Sequence, residues 1–153
     1  MNFVKEETTI ESVREMFTAF LEQKKMRKTP ERYAILEKIY FNDSHFDAET
    51  LFEDMQKEYR VSLATIYNTI DLLLDCSLIV KHPFVGKKAK YEKTFSKLVH
   101  HHLICTICGT VKEFSDKKMR NLIESKSFAT FEPSHYSLYL YGVCAKCKGK
   151  KKN

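Results

Sequence analysis

At 153 residues the chain has room for one domain or two small ones, and its 43% apolar content is ordinary for a globular protein, not a disordered or fibrous one. A formal charge of +6 favours an anionic partner, nucleic acid first. The N-terminus lacks the apolar core of a signal peptide and no apolar run approaches the roughly 18 residues of a membrane span. The expected setting is therefore the cytoplasm with no membrane partner, where five cysteines favour metal over disulfides.

Thr8-Thr9-Ile10-Glu11 reads as a capping box, followed by Ile10, Val13, Phe17, Phe20 and Leu21 at helical spacing to about Lys25. Lys24, Lys25, Arg27 and Lys28 then form a basic knot, either a solvated helix end or a phosphate contact. Thr29-Pro30 starts a second helix, with Pro at its first position and Tyr33, Leu36, Ile39 and Tyr40 inward. Asn42-Asp43-Ser44 breaks it. His45 sits in the break, just before Asp47, which can cap a third helix burying Ala48, Leu51, Phe52 and Met55.

Ser62 is placed to cap a fourth helix whose apolar side is Leu63, Ile66, Ile70, Leu73 and Leu74. Its other side carries Thr65, Tyr67, Asn68 and Asp71, groups that can reach base edges and phosphates. Cys76, the odd cysteine, is expected as a buried thiol. Ile79 to His82 and Tyr91 to Thr94 read as two strands around a loop holding Gly86, Lys87, Lys88 and Lys90. Helices followed by a basic hairpin make a winged helix-turn-helix pattern, with the fourth helix for the major groove and Lys87 and Lys88 along the backbone. A helical bundle with a solvated basic loop would give a similar pattern.

Phe95 to Leu98 is the expected linker, dividing a domain over 1–94 from one over 99–153. The second is a small α+β unit: Leu103-Ile104 and Val111 to Phe114 as strands around Gly109, a helix capped by Ser115 or Asp116, and a strand over Ser137 to Gly142. Cys105-x-x-Cys108 and Cys144-x-x-Cys147 offer four thiolates, what a tetrahedral Zn²⁺ needs at about 2.3 Å from each sulfur, with no open position and so a structural role. Just before the first pair, His100 and His102 face one way from an extended segment and His101 the other, setting two imidazoles towards a different site, with Glu113 soon after. Its small size suggests that zinc and a partner subunit supply missing stability. The lysine-rich tail from Lys146 reads as solvated.

Taken together, Arg27-x-Thr29-x-x-Arg32, His45-Phe46-Asp47-Ala48, Ser62-Leu63-Ala64-Thr65-Ile66-Tyr67, Tyr91-Glu92, the His100 to Gly109 run, Glu113-Phe114, Leu140-Tyr141-Gly142 and Cys144-x-x-Cys147 resemble the Fur superfamily of metal-responsive bacterial transcription regulators. The resemblance covers about Arg27 to Cys147 in consistent order. It implies a homodimeric repressor, with an N-terminal winged helix that reads a palindromic operator in double-stranded DNA and a C-terminal dimerisation domain. It also implies a regulatory metal held by His45, Glu92, His100, His102 and Glu113, taking ligands from both domains. A mixed imidazole and carboxylate shell suits Fe²⁺, Mn²⁺, Co²⁺ or Zn²⁺, with iron the first choice. The DNA contacts implied fall on Arg27, Thr29, Arg32, Ser62, Thr65, Tyr67, Asn68, Lys87 and Lys88.

The chain departs from that pattern in places. A third metal site common in the family would fall on Val99, His101, Arg120 and Tyr136, with His135 one residue out of register, and is expected to be absent or altered. Asn68 stands where the recognition helix often carries Arg, removing a strong guanine or phosphate contact. Ser77 replaces a usual helix-ending Gly. Glutamates at 92 and 113 lean away from peroxide sensing, which favours Asp there, whereas Tyr67-Asn68 leans back towards it. Sensing of zinc or manganese remains an alternative with these donors, although zinc-sensing relatives often use a Cys in the regulatory shell and none sits at these positions. From a different class, the cysteine pairs could serve a thiol redox protein, but no βαβ pattern surrounds them and no base-activated nucleophile accompanies them. A zinc-ribbon module that binds RNA or protein would carry similar knuckles. No enzyme activity is expected.

Overall fold

The computed structural model describes residues 10–83, 88–95 and 99–149, which fall into two compact units, 10–83 with 88–95 and 99–149. Thr8 and Thr9 of the expected capping box, Lys87 of the wing, residues 96–98 of the linker and 150–153 of the tail lie outside the described residues.

In the first unit, α1 (Ile10–Gln23), α2 (Pro30–Phe41), α3 (Ala48–Gln56) and α4 (Leu63–Asp75) precede an antiparallel pair, β1 (Ile79–His82) and β2 (Lys90–Lys93). One core joins them: Val13, Phe17 and Leu21 from α1, Ile35, Leu36 and Ile39 from α2, Leu51 and Met55 from α3, Ile66, Ile70 and Leu73 from α4, with Leu78, Ile79 and Tyr91 from the hairpin. These are helical-period positions, so each amphipathic helix buries one stripe. Leu63 and Leu74, expected inward on α4, are exposed and half-buried, and Thr69 takes a buried place instead by donating its hydroxyl to the Thr65 carbonyl at 2.8 Å.

The caps decide where the helices start. Asp47 accepts from the Thr50 N–H and Ser62 from the Thr65 N–H, at 2.9 and 3.0 Å. Thr29 makes no side-chain cap bond; its extended backbone before Pro30 starts α2 instead.

Two helix ends share one device. At α1, the Met26 N–H reaches back to the Leu21 carbonyl and the Lys25 N–H to Glu22; at α4, the Leu78 N–H reaches Leu73 and the Ser77 N–H reaches Leu74. Both are Schellman turns, with Lys25 at φ 54° and Ser77 at φ 58° in the left-handed place that glycine normally takes. This ends α1 two residues before Lys25. Ser77 thus makes the expected glycine's turn despite its Cβ, at a cost on the order of 1 kcal/mol. Burial of Leu73 and Leu78, the hydrophobic pair of the motif, offsets it. Cys76, beside this turn, is half-buried rather than fully buried, and burial pushes its thiol up to about 11.

Phe46 forms a two-way bridge to Tyr91: the Phe46 N–H donates to the Tyr91 carbonyl at 3.0 Å and the Tyr91 N–H to the Phe46 carbonyl at 2.8 Å. The segment before α3 is therefore tied to β2 at one isolated bridge. β2 begins one residue earlier than expected because His82 pairs with Lys90, whose ammonium donates to buried Asp47 at 2.6 Å.

The second unit has β3 (His101–Cys105), β4 (Val111–Phe114), α5 (Lys117–Glu124) and β5 (Tyr139–Gly142), in sheet order β4-β3-β5. β3 runs antiparallel to β4 and parallel to β5. Asp116 caps α5 through the Met119 N–H at 2.9 Å. β5 starts at Tyr139, not Ser137, although the His102 N–H already reaches the Leu138 carbonyl. Among the described residues of this unit few side chains are buried, namely His101, His102, Ile104, Cys105 and Cys147, and α5 has none. Among the described residues no helix is long and apolar enough to cross a membrane.

Asp47 ties α3 to the hairpin. Burial alone would raise its carboxyl pKa, but the Lys90 ammonium and the Thr50 N–H and hydroxyl outweigh that and hold it well below the usual range. A carboxyl depressed on folding stabilises above its unfolded value of about 4 and loses that contribution as pH falls further. Asp47→Ala is expected to destabilise by about 1–3 kcal/mol at pH 7. In urea melts the difference from wild type should shrink steadily below about pH 4; a gap independent of pH would show that Asp47 acts only as a neutral cap.

Candidate metal centres and nucleic-acid interface

The two Cys-x-x-Cys segments meet at adjacent, parallel strand ends. Cys105 closes β3, Gly142 closes β5, and the two pair in register, with the Thr106 N–H donating to the Gly142 carbonyl at 2.9 Å. Each pair sits on a tight turn: Gly109 N–H returns to the Cys105 carbonyl and Cys147 N–H to the Cys144 carbonyl, both at 2.9 Å. Gly109 has φ 72°, where a side chain would strain the knuckle. All four sulfurs lie within 4.8 Å of one another, and Cys108 Sγ is 3.7 Å from Cys144 Sγ. A tetrahedron of sulfurs about 2.3 Å from one ion has edges of roughly 3.8 Å, so the set fits a four-thiolate metal site.

The backbone prepares these sulfurs for negative charge. The Cys144 N–H donates to Cys105 Sγ at 3.4 Å and, with the N–H groups of Cys108 and Ile107, draws that thiol down to about 6. Hydrogen bonding to the Thr110 hydroxyl and N–H lowers Cys108 as well, whereas bonds from the Cys147 thiol to Cys144 and Cys108 sulfurs hold Cys147 up at about 12. Thiols sharing protons across one cavity suit displacement of those protons by a cation.

At the other end of β3 the histidines alternate as expected. The His100 and His102 rings are 5.0 Å apart and nearly perpendicular. His102 pairs in register with Glu113 on β4 and with Tyr139 on β5, whose ring stacks on its imidazole at 5.3 Å. Donor atoms of His100, His102 and Glu113 lie within 4.8 Å of one another. His101 faces the other way, fully buried against Phe114 and Tyr136 at 5.2 and 6.0 Å. Among the described residues neither of its ring nitrogens has a hydrogen-bond partner, and burial lowers its pKa. Arg120 pairs with Glu124. Of the places expected for a third metal site, His101 and Tyr136 thus lie in an aromatic cluster and Arg120 in an ion pair.

In the first unit, the Phe46–Tyr91 bridge sets His45 beside Glu92, with His45 Nε2 at 3.4 Å from Glu92 Oε2. His82, which its local sequence marks only as a strand residue, joins them. His82 Nε2 lies 2.8 Å from the same Glu92 oxygen, and the His45 and His82 rings are 4.8 Å apart, edge to face. Pairing of Val80 with Glu92 puts His82 on the face of Glu92, a signal visible only once the register is known.

Of the expected DNA-contacting residues, Ser62, Thr65, Tyr67 and Asn68 lie on α4 or its cap, and Lys88 lies near Glu49, the partner of Tyr67. Tyr67 and Asn68 are exposed on α4, and the Tyr67 hydroxyl donates to Glu49 at 2.9 Å. Ser62 and Thr65 form the α4 cap, their hydroxyls 2.8 Å apart. Lys88 is exposed, 3.7 Å from Glu49 and 4.0 Å from Asp47. Before α2, Arg27 is exposed and its carbonyl accepts from the Arg32 guanidinium, with Thr29 between them. Lys87 lies outside the described residues.

Residues 23–141 match the Ferric uptake regulator family. The chain is similar to the ferric uptake regulation protein of Campylobacter upsaliensis, 28% identical over 144 residues that span 90% of each chain. It is also similar to the peroxide-responsive repressor PerR of Staphylococcus aureus, 27% identical over 144 residues spanning 93% of this chain and 96% of that one. In fold it is like the Helicobacter pylori ferric uptake regulator Fur, whose structure is described as revealing three functional metal binding sites. That likeness has a TM-score of 0.67 at 19% identity and covers 97% of this chain and 100% of that chain. With so much of its length matched and its thiolate and imidazole–carboxylate clusters in place, the chain belongs to the ferric uptake regulator family of metal-responsive transcription regulators.

Proposed function

We propose that the protein is a cytoplasmic, homodimeric repressor that binds a palindromic operator when a regulatory divalent ion is present. Residues 1–94 act as the DNA-binding domain, 95–98 as the linker and 99–153 as the dimerisation domain. The four cysteines hold a structural Zn²⁺. His45, Glu92, His100, His102 and Glu113 hold the regulatory ion, Fe²⁺ by preference, with Mn²⁺, Zn²⁺ and Co²⁺ compatible with the same donors. The observation that carries this reading is that each unit by itself gathers imidazole and carboxylate donors: His45 against Glu92 in one, His100, His102 and Glu113 in the other. An ion drawing on both sets ties DNA-binding geometry to metal supply, and its differential affinity for the competent geometry sets the size of the response.

Dimerisation is supported by the apolar groups that the small second unit leaves exposed. Leu103 and Leu140, paired in register on neighbouring strands, are 40% and 45% exposed, and Leu122 of α5 is 60% exposed. An eight-residue helix with no buried residue needs a partner surface to be stable.

His45→Ala and His102→Ala should each abolish metal-stimulated operator binding in a fluorescence anisotropy titration while leaving the dimer and one zinc per chain intact. Full retention of the metal response would show that these residues are not ligands. On the DNA side, Tyr67→Ala should reduce discrimination between operator and random duplex by about 1–3 kcal/mol, whereas neutralising Lys87 and Lys88 should weaken both duplexes alike and flatten the salt dependence by up to about two charges. Equal loss on both duplexes from Tyr67→Ala would contradict a base-reading role.

A further inference from the structure

The regulatory reading leaves the buried imidazole of His82 unused. His82 ends β1 with its side chain fully enclosed. Burying a histidine there requires a partner, and it has one in Glu92, whose carboxylate is itself only 12% exposed. The arrangement comes from the backbone, not from chance rotamers. β2 is flanked on both sides: β1 pairs with it through Val80–Glu92, and the His45-Phe46 segment meets it through the isolated Phe46–Tyr91 bridge. Glu92 therefore has an imidazole on each side, with Nε2 of His45 at 3.4 Å and Nε2 of His82 at 2.8 Å from the same oxygen.

All three donor atoms lie within 4.8 Å of one another. An ion with ligands at about 2.0–2.2 Å needs neighbouring donors roughly 3–3.5 Å apart, so small side-chain rotations suffice to admit one. Two imidazoles and a carboxylate form a complete donor type for a first-row divalent ion, the set that holds catalytic Zn²⁺ and non-haem Fe²⁺ with further positions left open. None of the three residues comes from the second unit.

We propose that His82 is a metal ligand, so that His45, His82 and Glu92 form within the DNA-binding unit a three-donor site able to take a divalent ion without the second unit's histidines. The inference rests on the regulatory site proposed above and extends it: the ion loads on the DNA-binding unit, and donors of the second unit complete its shell. His82 adds a further imidazole to the shell, which raises affinity for Fe²⁺, Co²⁺ and Zn²⁺ relative to Mn²⁺ and Mg²⁺ without excluding Mn²⁺.

The full-length protein with its cysteines loaded with zinc is titrated with Co²⁺, following the visible d–d absorption. His100→Ala/His102→Ala should still take one Co²⁺ per chain, more weakly than wild type. Adding His82→Gln to that variant should lower the affinity a further tenfold or more. In the wild-type background His82→Gln should weaken binding by about tenfold or more and shift the absorption band, as loss of a nitrogen ligand does. Glutamine can still donate a hydrogen bond to Glu92, so circular dichroism should be unchanged, and His82→Asn provides a second variant if it is not. If His82→Gln keeps wild-type affinity and spectrum, His82 merely orients Glu92 and the proposal falls. It falls equally if the double variant binds no Co²⁺. A wild-type protein that takes Co²⁺ outside the cysteines but shows no change in DNA binding overturns the regulatory reading instead, and leaves the His82 result to stand by itself.

Discussion

The second unit depends on the junction of its two cysteine knuckles. Its described residues form almost no apolar core, its helix α5 buries nothing, and the strands β3, β4 and β5 are short. A parallel pair such as β3 and β5 has no hairpin to close it, and a long connection separates the two strands in sequence. What fixes their shared end is the set of four sulfurs, with Cys105 and Gly142 in register just where each chain turns into its knuckle. The structural ion proposed for these sulfurs would take the place of hydrophobic bulk as the source of stability, the usual solution for a unit this small. The same constraint reaches the other end of β3. With Cys105 held and the strand period fixed at two, His100 and His102 share a face with Glu113 and His101 is forced into the aromatic cluster.

In the first unit the corresponding constraint is the Schellman turn after α4. It carries the chain from the exposed helix face bearing Tyr67 and Asn68 directly into β1, within four residues. The hairpin then returns β2 beneath the segment before α3, where Asp47 takes Lys90 and Glu49 takes both Tyr67 and Lys88. The groups expected to meet DNA are thus connected through one short network to the strand that carries Glu92. Glu92 is linked to α4 through the Phe46 bridge beside it, the Asp47 cap of α3 and the Glu49–Tyr67 hydrogen bond.

Much of this is legible in the residues alone. Asp47, Ser62 and Asp116 announce three helix starts because a short polar side chain before an apolar period has one good local use. The cysteine spacing and the alternation of the histidines are equally direct. Other features are hidden for definite reasons. The ends of α1 and α4 rest on left-handed Lys25 and Ser77, residues whose intrinsic preference argues against that conformation, so tertiary packing of Leu21, Leu73 and Leu78 decides them. His82 looks like an ordinary strand residue because its partnership depends on strand register, which composition does not encode. The early start of β2 follows from Lys90 reaching Asp47, forty-three residues earlier, a contact no local pattern signals.

The central claim is that supply of a divalent ion controls occupancy of paired DNA half-sites by this chain. The most direct measurement is a genome-wide footprint of the protein in cells grown with and without added iron, manganese and zinc. The expected result is a small set of palindromic promoter sites protected only when one of these metals, iron first, is supplied. Identical protection under every condition, or none at any promoter, would contradict it.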